Sequence, residues 1–166
     1  MNYEEYANIL KNNLQGYTDE LIQNLKCVFQ KEFFSEVELL DFSVFDRDVD
    51  FSIQMYSMNR KAAEVFNLDH KENDAFAGSL SLITDIPFIP KMMREVRHAF
   101  YEQDDIEMED RERHIISEWF FDCWKKAGGD YFKIPSYFYY HDDFKAFDLL
   151  EVKWILDHER WEPLDA

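Results

Sequence analysis

The chain has 166 residues, about one domain at roughly 150 residues each, and its 46% apolar content supplies a core and excludes wholesale disorder. Asp and Glu number 35 against 18 Lys and Arg, a formal charge of −17, and the longest basic clusters are the pairs Arg60-Lys61 and Lys125-Lys126. Direct nucleic-acid binding, which draws its affinity from cations on phosphates, is therefore not expected.

Asn2 to Gln15 reads as a helix, with Asn2 as cap, Glu5 completing a capping box and Tyr6, Ile9, Leu10 and Leu14 as its apolar stripe. Thr18 is expected to cap a second helix reaching about Phe34, with Leu21, Ile22, Leu25, Val28, Phe29 and Phe33 inward. The period then changes to two. Leu40, Phe42 and Val44, then Val49, Phe51, Ile53 and Met55, alternate with polar residues across an Asp46-Arg47-Asp48 turn, which predicts an antiparallel hairpin over 39–56. Ser57 to Phe66 is expected to be a short helix carrying Ala62, Ala63 and Phe66, followed by a polar loop and a strand over 75–84.

Pro90 suits the first position of a helix to about Gln103, with Met92, Met93, Val96, Ala99 and Phe100 inward. Glu102 to Glu112 holds seven carboxylates and only Arg111, and leads into a helix over about 109–127 carrying Ile116, Trp119, Phe120 and Cys123. Tyr131 to Tyr140 contains six aromatics interrupted by Pro135, which marks an edge strand or an extended loop. Alternation there places Phe138 and Tyr140 on one face and Tyr137 and Tyr139 on the other. Residues 146–156 fit either a strand or a helix, with strand preferred. With no repeat and no low-complexity linker, these elements predict a single α+β domain over 1–166: N-terminal helices, a mostly antiparallel sheet containing the 39–56 hairpin, and helices at about 90–103 and 109–127 packed on it.

Function classes narrow by exclusion. Four glycines cannot write a G-x-G-x-x-G or P-loop motif, no serine sits in G-x-S-x-G, and zincin histidine spacings are absent. No apolar run is long enough to span a membrane and no signal peptide is visible, so the expectation is a cytoplasmic chain without membrane contact. Cys27 and Cys123 fall on apolar helix faces and are expected as buried free thiols. His98 and His114, beside carboxylates, read as ordinary surface histidines rather than general bases. No cofactor is expected.

Charge is segregated along the chain: residues 1–50 carry net −7, residues 51–100 are neutral and residues 101–166 carry −10. A one-sign surface speeds encounter with a partner of opposite sign. The expected role is a non-enzymatic binding protein for a basic protein partner, with tyrosine anchors among carboxylates: Tyr137, Tyr139, Tyr140, Asp142, Asp143, Asp104, Asp105 and Glu109. In size, charge and lack of catalytic motifs, though not in any sequence motif, this resembles the small acidic immunity proteins that neutralise toxins, many of them basic nucleases. Two alternatives stand beside it. One is a DNA-mimic inhibitor built on paired carboxylates. The other is a metal-dependent hydrolase built on His141, Asp142, Asp143 and Asp148, whose imidazole and carboxylates suit a divalent transition metal.

Overall fold

The computed structural model describes residues 1–163 as four helices and one six-stranded sheet. Helices α1 (Tyr3–Gln15) and α2 (Thr18–Phe29) precede strands β1 (Leu39–Asp46), β2 (Asp50–Met58) and β3 (Ser79–Pro87). Helices α3 (Arg94–Gln103) and α4 (Asp105–Ala127) follow, then β4 (Ser136–Tyr140), β5 (Lys145–Asp148) and β6 (Lys153–Leu156). The sheet order is β3-β2-β1-β4-β5-β6, and every neighbouring pair is antiparallel except β1 with β4. The α+β prediction holds. Among the described residues no helix is long and apolar enough to cross a membrane.

The hairpin pairs Leu39 with Met58 through Asp46 with Phe51, as its period-two pattern requires. Phe42, Val44, Phe51, Ile53 and Met55 turn to the helical layer, where Phe42 meets Phe120 and Trp124. Helix α1 begins with the expected reciprocal capping box of Asn2 and Glu5. Thr18 does not cap α2: its hydroxyl donates to the Leu14 carbonyl and accepts from the Trp119 indole, tying α2 to α4. Helix α2 also stops at Phe29, short of Phe34.

Other local expectations change in the same way. Residues 57–66 are not a helix. Strand β2 continues to Met58, Val65 takes the buried position, and Ala62, Ala63 and Phe66 are exposed. Met92 and Ala99 face solvent, and α3 has no fully buried residue, because it lies against α1 and α4 rather than over the sheet centre. Helix α4 starts four residues early, where Asp104 accepts from the Glu107 amide at 3.1 Å. Residues 145–156 form two strands, not one. Cys123 is buried but Cys27 is exposed.

Two buried ionic clusters hold the layers. Glu112, 4% exposed, accepts from Tyr6 Oη (2.5 Å), Tyr101 Oη (2.8 Å) and Arg97 Nη2 (2.9 Å) and Nε (3.2 Å). This carboxylate is fully satisfied, and it joins α1, α3 and α4 around one charge. On the opposite face of the sheet, Asp41 (1% exposed) faces Arg160 (5% exposed), with Nε 3.2 Å from Oδ1. The Arg160 guanidinium lies 4.4 Å from both the Tyr139 and Trp161 rings, so residues 157–161 cover that face. Arg60 reinforces the cover by donating to Tyr137 Oη (3.1 Å) and the Arg160 carbonyl (2.8 Å).

Candidate functional site

The parallel pairing of β1 with β4 brings their C-terminal ends side by side, Val44 opposite Tyr140. Asp46 ends β1, and His141, Asp142 and Asp143 follow β4, so residues almost a hundred positions apart meet at one edge. Arg113 reaches this edge from α4. Its Nη2 lies 2.6 Å from Glu109 Oε1, 3.0 Å from Asp142 Oδ1 and 3.6 Å from Asp46 Oδ2, and its Nη1 lies 3.6 Å from Asp143 Oδ2. Its Cζ sits 4.3 Å over the Tyr140 ring.

One guanidinium therefore gathers four carboxylates. The ring keeps a formal excess of about three negative charges, held in place and only partly neutralised. Burial raises the Glu109 pKa above its ordinary value; Arg113 opposes the rise, while Asp142 and Asp46 add to it. Burial works against the Arg113 charge, but Glu109, Asp142 and Asp46 outweigh it and raise its pKa.

Beside the ring runs a cleft of about 520 Å³ between α4 and the β5–β6 hairpin. Arg113, His114 and Ser117 line its helix side, Tyr140 its floor, and Trp154 and Leu156 its far wall. Trp154 and Leu156 are 47% and 45% exposed, and Phe144 nearby is 64% exposed. Tyr140 is 3% exposed, yet its hydroxyl has no hydrogen-bond partner. Burial pushes the Tyr140 phenol well above its ordinary pKa, with Glu112 and Asp46 adding to the effect, so it stays a neutral donor.

The expected site residues divide accordingly. Asp142, Asp143 and Glu109 come together around Arg113. Asp104 and Asp105 do not, because they lie at the start of α4, about 12 Å along the axis from Arg113 at 1.5 Å per residue. The tyrosines form no shared exposed patch. Strand β4 lies inside the sheet between β1 and β5, which corrects the edge expectation, and Pro135 falls just before it. Tyr137 is buried on the Arg60 side, Tyr139 is half-buried beneath Arg160, and Tyr140 is buried on the helix side. The predicted alternation of faces holds, with both faces of the strand covered.

The metal cluster is also rearranged. Asp46, His141 and Asp142 place ligand atoms within 4.8 Å of one another, a nitrogen and two oxygens that could hold a divalent transition metal. Both carboxylates already face Arg113, whose charge opposes a second cation. Asp143 and Asp148 stand outside this group, which corrects the set drawn from sequence. Asp148 accepts from the Leu150 and Glu151 amides at 3.0 Å each, and Asp143 accepts from the Phe144 amide. Cys123 is no nucleophile, because burial pushes its thiol up to about 11. His114 pairs with Glu118 on the surface at 3.1 Å, and the half-buried His98 has its Nε2 3.4 Å from Asp48 Oδ1.

Sequence reasoning missed Arg113, Asp46, Trp154 and Leu156 as members of one site. The Glu109–Arg113 spacing of four and the period of two in 153–156 are local signals for the pieces, but no local signal joins them. The chain matches no family model, no curated protein and no solved structure.

Proposed function

We propose that this chain is a non-enzymatic binding protein whose acidic ring and adjoining cleft receive a basic protein partner. The observation that carries the reading is the convergence of Asp46, Glu109, Asp142 and Asp143 on the single guanidinium of Arg113, beside a cleft walled by exposed Trp154 and Leu156. Such a surface combines the two elements of a protein interface: apolar anchors to desolvate, and fixed charges to steer and orient the partner. The tyrosine contribution shrinks to Tyr140, whose ring lies beneath Arg113 at the cleft while its unpaired hydroxyl is buried. A cytoplasmic setting accords with this reading. The DNA-mimic reading has no comparable support, since Asp104 is engaged as a helix cap away from the ring. The hydrolase reading on His141, Asp142, Asp143 and Asp148 loses its support because these four do not converge, and the trio Asp46, His141 and Asp142 that does converge already has Arg113 at both of its carboxylates.

The test is capture from cells that natively carry the chain, run in parallel with a Glu109→Gln, Asp142→Asn, Asp143→Asn variant. The retained partner should be basic. Its association rate should fall at least tenfold between about 0.05 and 0.5 M salt as the Debye length shrinks, and the variant should retain little of it. A rate indifferent to salt, or undiminished capture by the variant, refutes the reading.

A further inference from the structure

The helical layer stops short of the sheet it covers. Phe120 of α4 stacks on Phe138 of β4 at 4.4 Å, and Phe121 meets only the edge of Phe147 of β5 at 5.2 Å. Pairing of Phe138 with Phe147 and of Phe147 with Trp154 puts these three on the helix side, and pairing of Lys145 with Leu156 adds that couple. This side of β5 and β6 thus presents Lys145, Trp154 and Leu156 to solvent, next to the exposed Phe144.

The uncovered strip has the dimensions of one helix. Two strands at about 4.8 Å span roughly 10 Å, and packed helices lie about 8–10 Å apart. The α4 side of the cleft, Asp110 to Ser117, extends about 10 Å, or two helical turns. The outer edge of β6 is a poorer docking element. The Asp157 amide bonds the Phe144 carbonyl, so alternation turns the backbone groups of Trp154 and Leu156 outward, and Glu159 already accepts from the Leu156 amide at 2.6 Å.

We propose that the cleft takes one amphipathic cationic helix of its partner, lying beside α4 and completing the helical layer over β5 and β6. The proposal rests on the reading above that the partner is basic, and it adds the mode of docking. About two turns engage, with apolar residues at i, i+3/i+4 and i+7 against Trp154, Leu156 and the Tyr140 floor. Lys or Arg flanking that stripe meet Asp110, Asp143 and the carboxylates around Arg113.

Three 18-residue probes test it by calorimetry and by NMR shift mapping at low salt: a Leu/Lys peptide patterned at period 3.6, the same composition patterned at period two, and a Leu/Glu helix. The cationic helical peptide should bind, gain helicity, and shift Ser117, Lys145 and the Trp154 indole. Trp154→Ala with Leu156→Asp should weaken it at least tenfold while the variant still unfolds cooperatively, since both side chains are about half exposed and Trp154 gives up only its contact with Phe147. Equal or tighter binding of the period-two peptide in the same cleft overturns the helical mode and leaves the basic-partner reading intact. Shifts confined to other surfaces also overturn the mode. Failure of both cationic peptides, or preference for the Leu/Glu helix, overturns the mode and the underlying reading together.

Discussion

The buried Asp41–Arg160 pair makes the sharpest test of how this fold is held. Asp41 is 1% exposed on a central strand, and burial raises its pKa from 3.8 to about 6; Arg160 and Arg60 oppose the rise without cancelling it. The native state therefore holds this proton more tightly than the unfolded chain does. Asp41 contributes stability that is complete below about pH 4 and is lost as pH rises through about 6, the reverse of an ordinary paired carboxylate. A rise of about two pKa units corresponds to about 3 kcal/mol at roughly 1.36 kcal/mol per unit. Asp41→Asn removes the titration while keeping the shape of the protonated acid. The comparison with wild type also cancels the pH dependence of the other carboxylates. Urea unfolding of both proteins from pH 3.5 to 8 should show the stability difference moving by about 3 kcal/mol in favour of the variant, with the change centred between pH 4 and 6. A flat difference, or one that moves in favour of wild type as pH rises, would show that Arg160 outweighs desolvation and would refute the reasoning.

Two substitutions test the helical layer. Trp119 is 7% exposed, packs edge-on against Phe51 and donates its indole N–H to Thr18 Oγ1 at 3.0 Å, so Trp119→Ala should cost about 3–5 kcal/mol in urea unfolding; a melting temperature within about a degree of wild type would contradict that packing. Gly129→Ala would place a Cβ 2.1 Å from Nε1 of Trp124, a fully buried indole flanked by Phe29, Phe42 and Phe132, and should lower stability by about 3 kcal/mol, the upper range for overpacking, whereas unchanged stability would mean that the indole is free to move.

Short-range chemistry alone determined much of this protein. The period-two runs on either side of Asp46-Arg47-Asp48 specify a hairpin, because the short turn brings the two runs together and a one-residue slip would move Phe42, Phe51 or Ile53 to the polar face. Asn2 and Glu5 specify the start of α1, since the donors they satisfy lie within three residues. The stripe of Ile116, Trp119, Phe120 and Cys123 likewise specifies the inward face of α4.

What failed to read from the sequence depended on partners distant along the chain. Alternation separated Tyr137 and Tyr139 from Tyr140. Only the insertion of β4 between β1 and β5, with Arg160 and Trp161 folded over the far face, made Tyr137 and Tyr140 interior. Nothing local told the buried Glu112 from its exposed acidic neighbours, because its partners Tyr6 and Arg97 come from other helices. The candidate site has the same origin. Asp46 and Asp142 are neighbours because β1 and β4 run parallel, and Arg113 joins them because α4 crosses that edge. A sequence carries the charge of each of these groups, but their number around one guanidinium depends on strand order, which is set by the packing of the whole sheet rather than by any segment's own propensity.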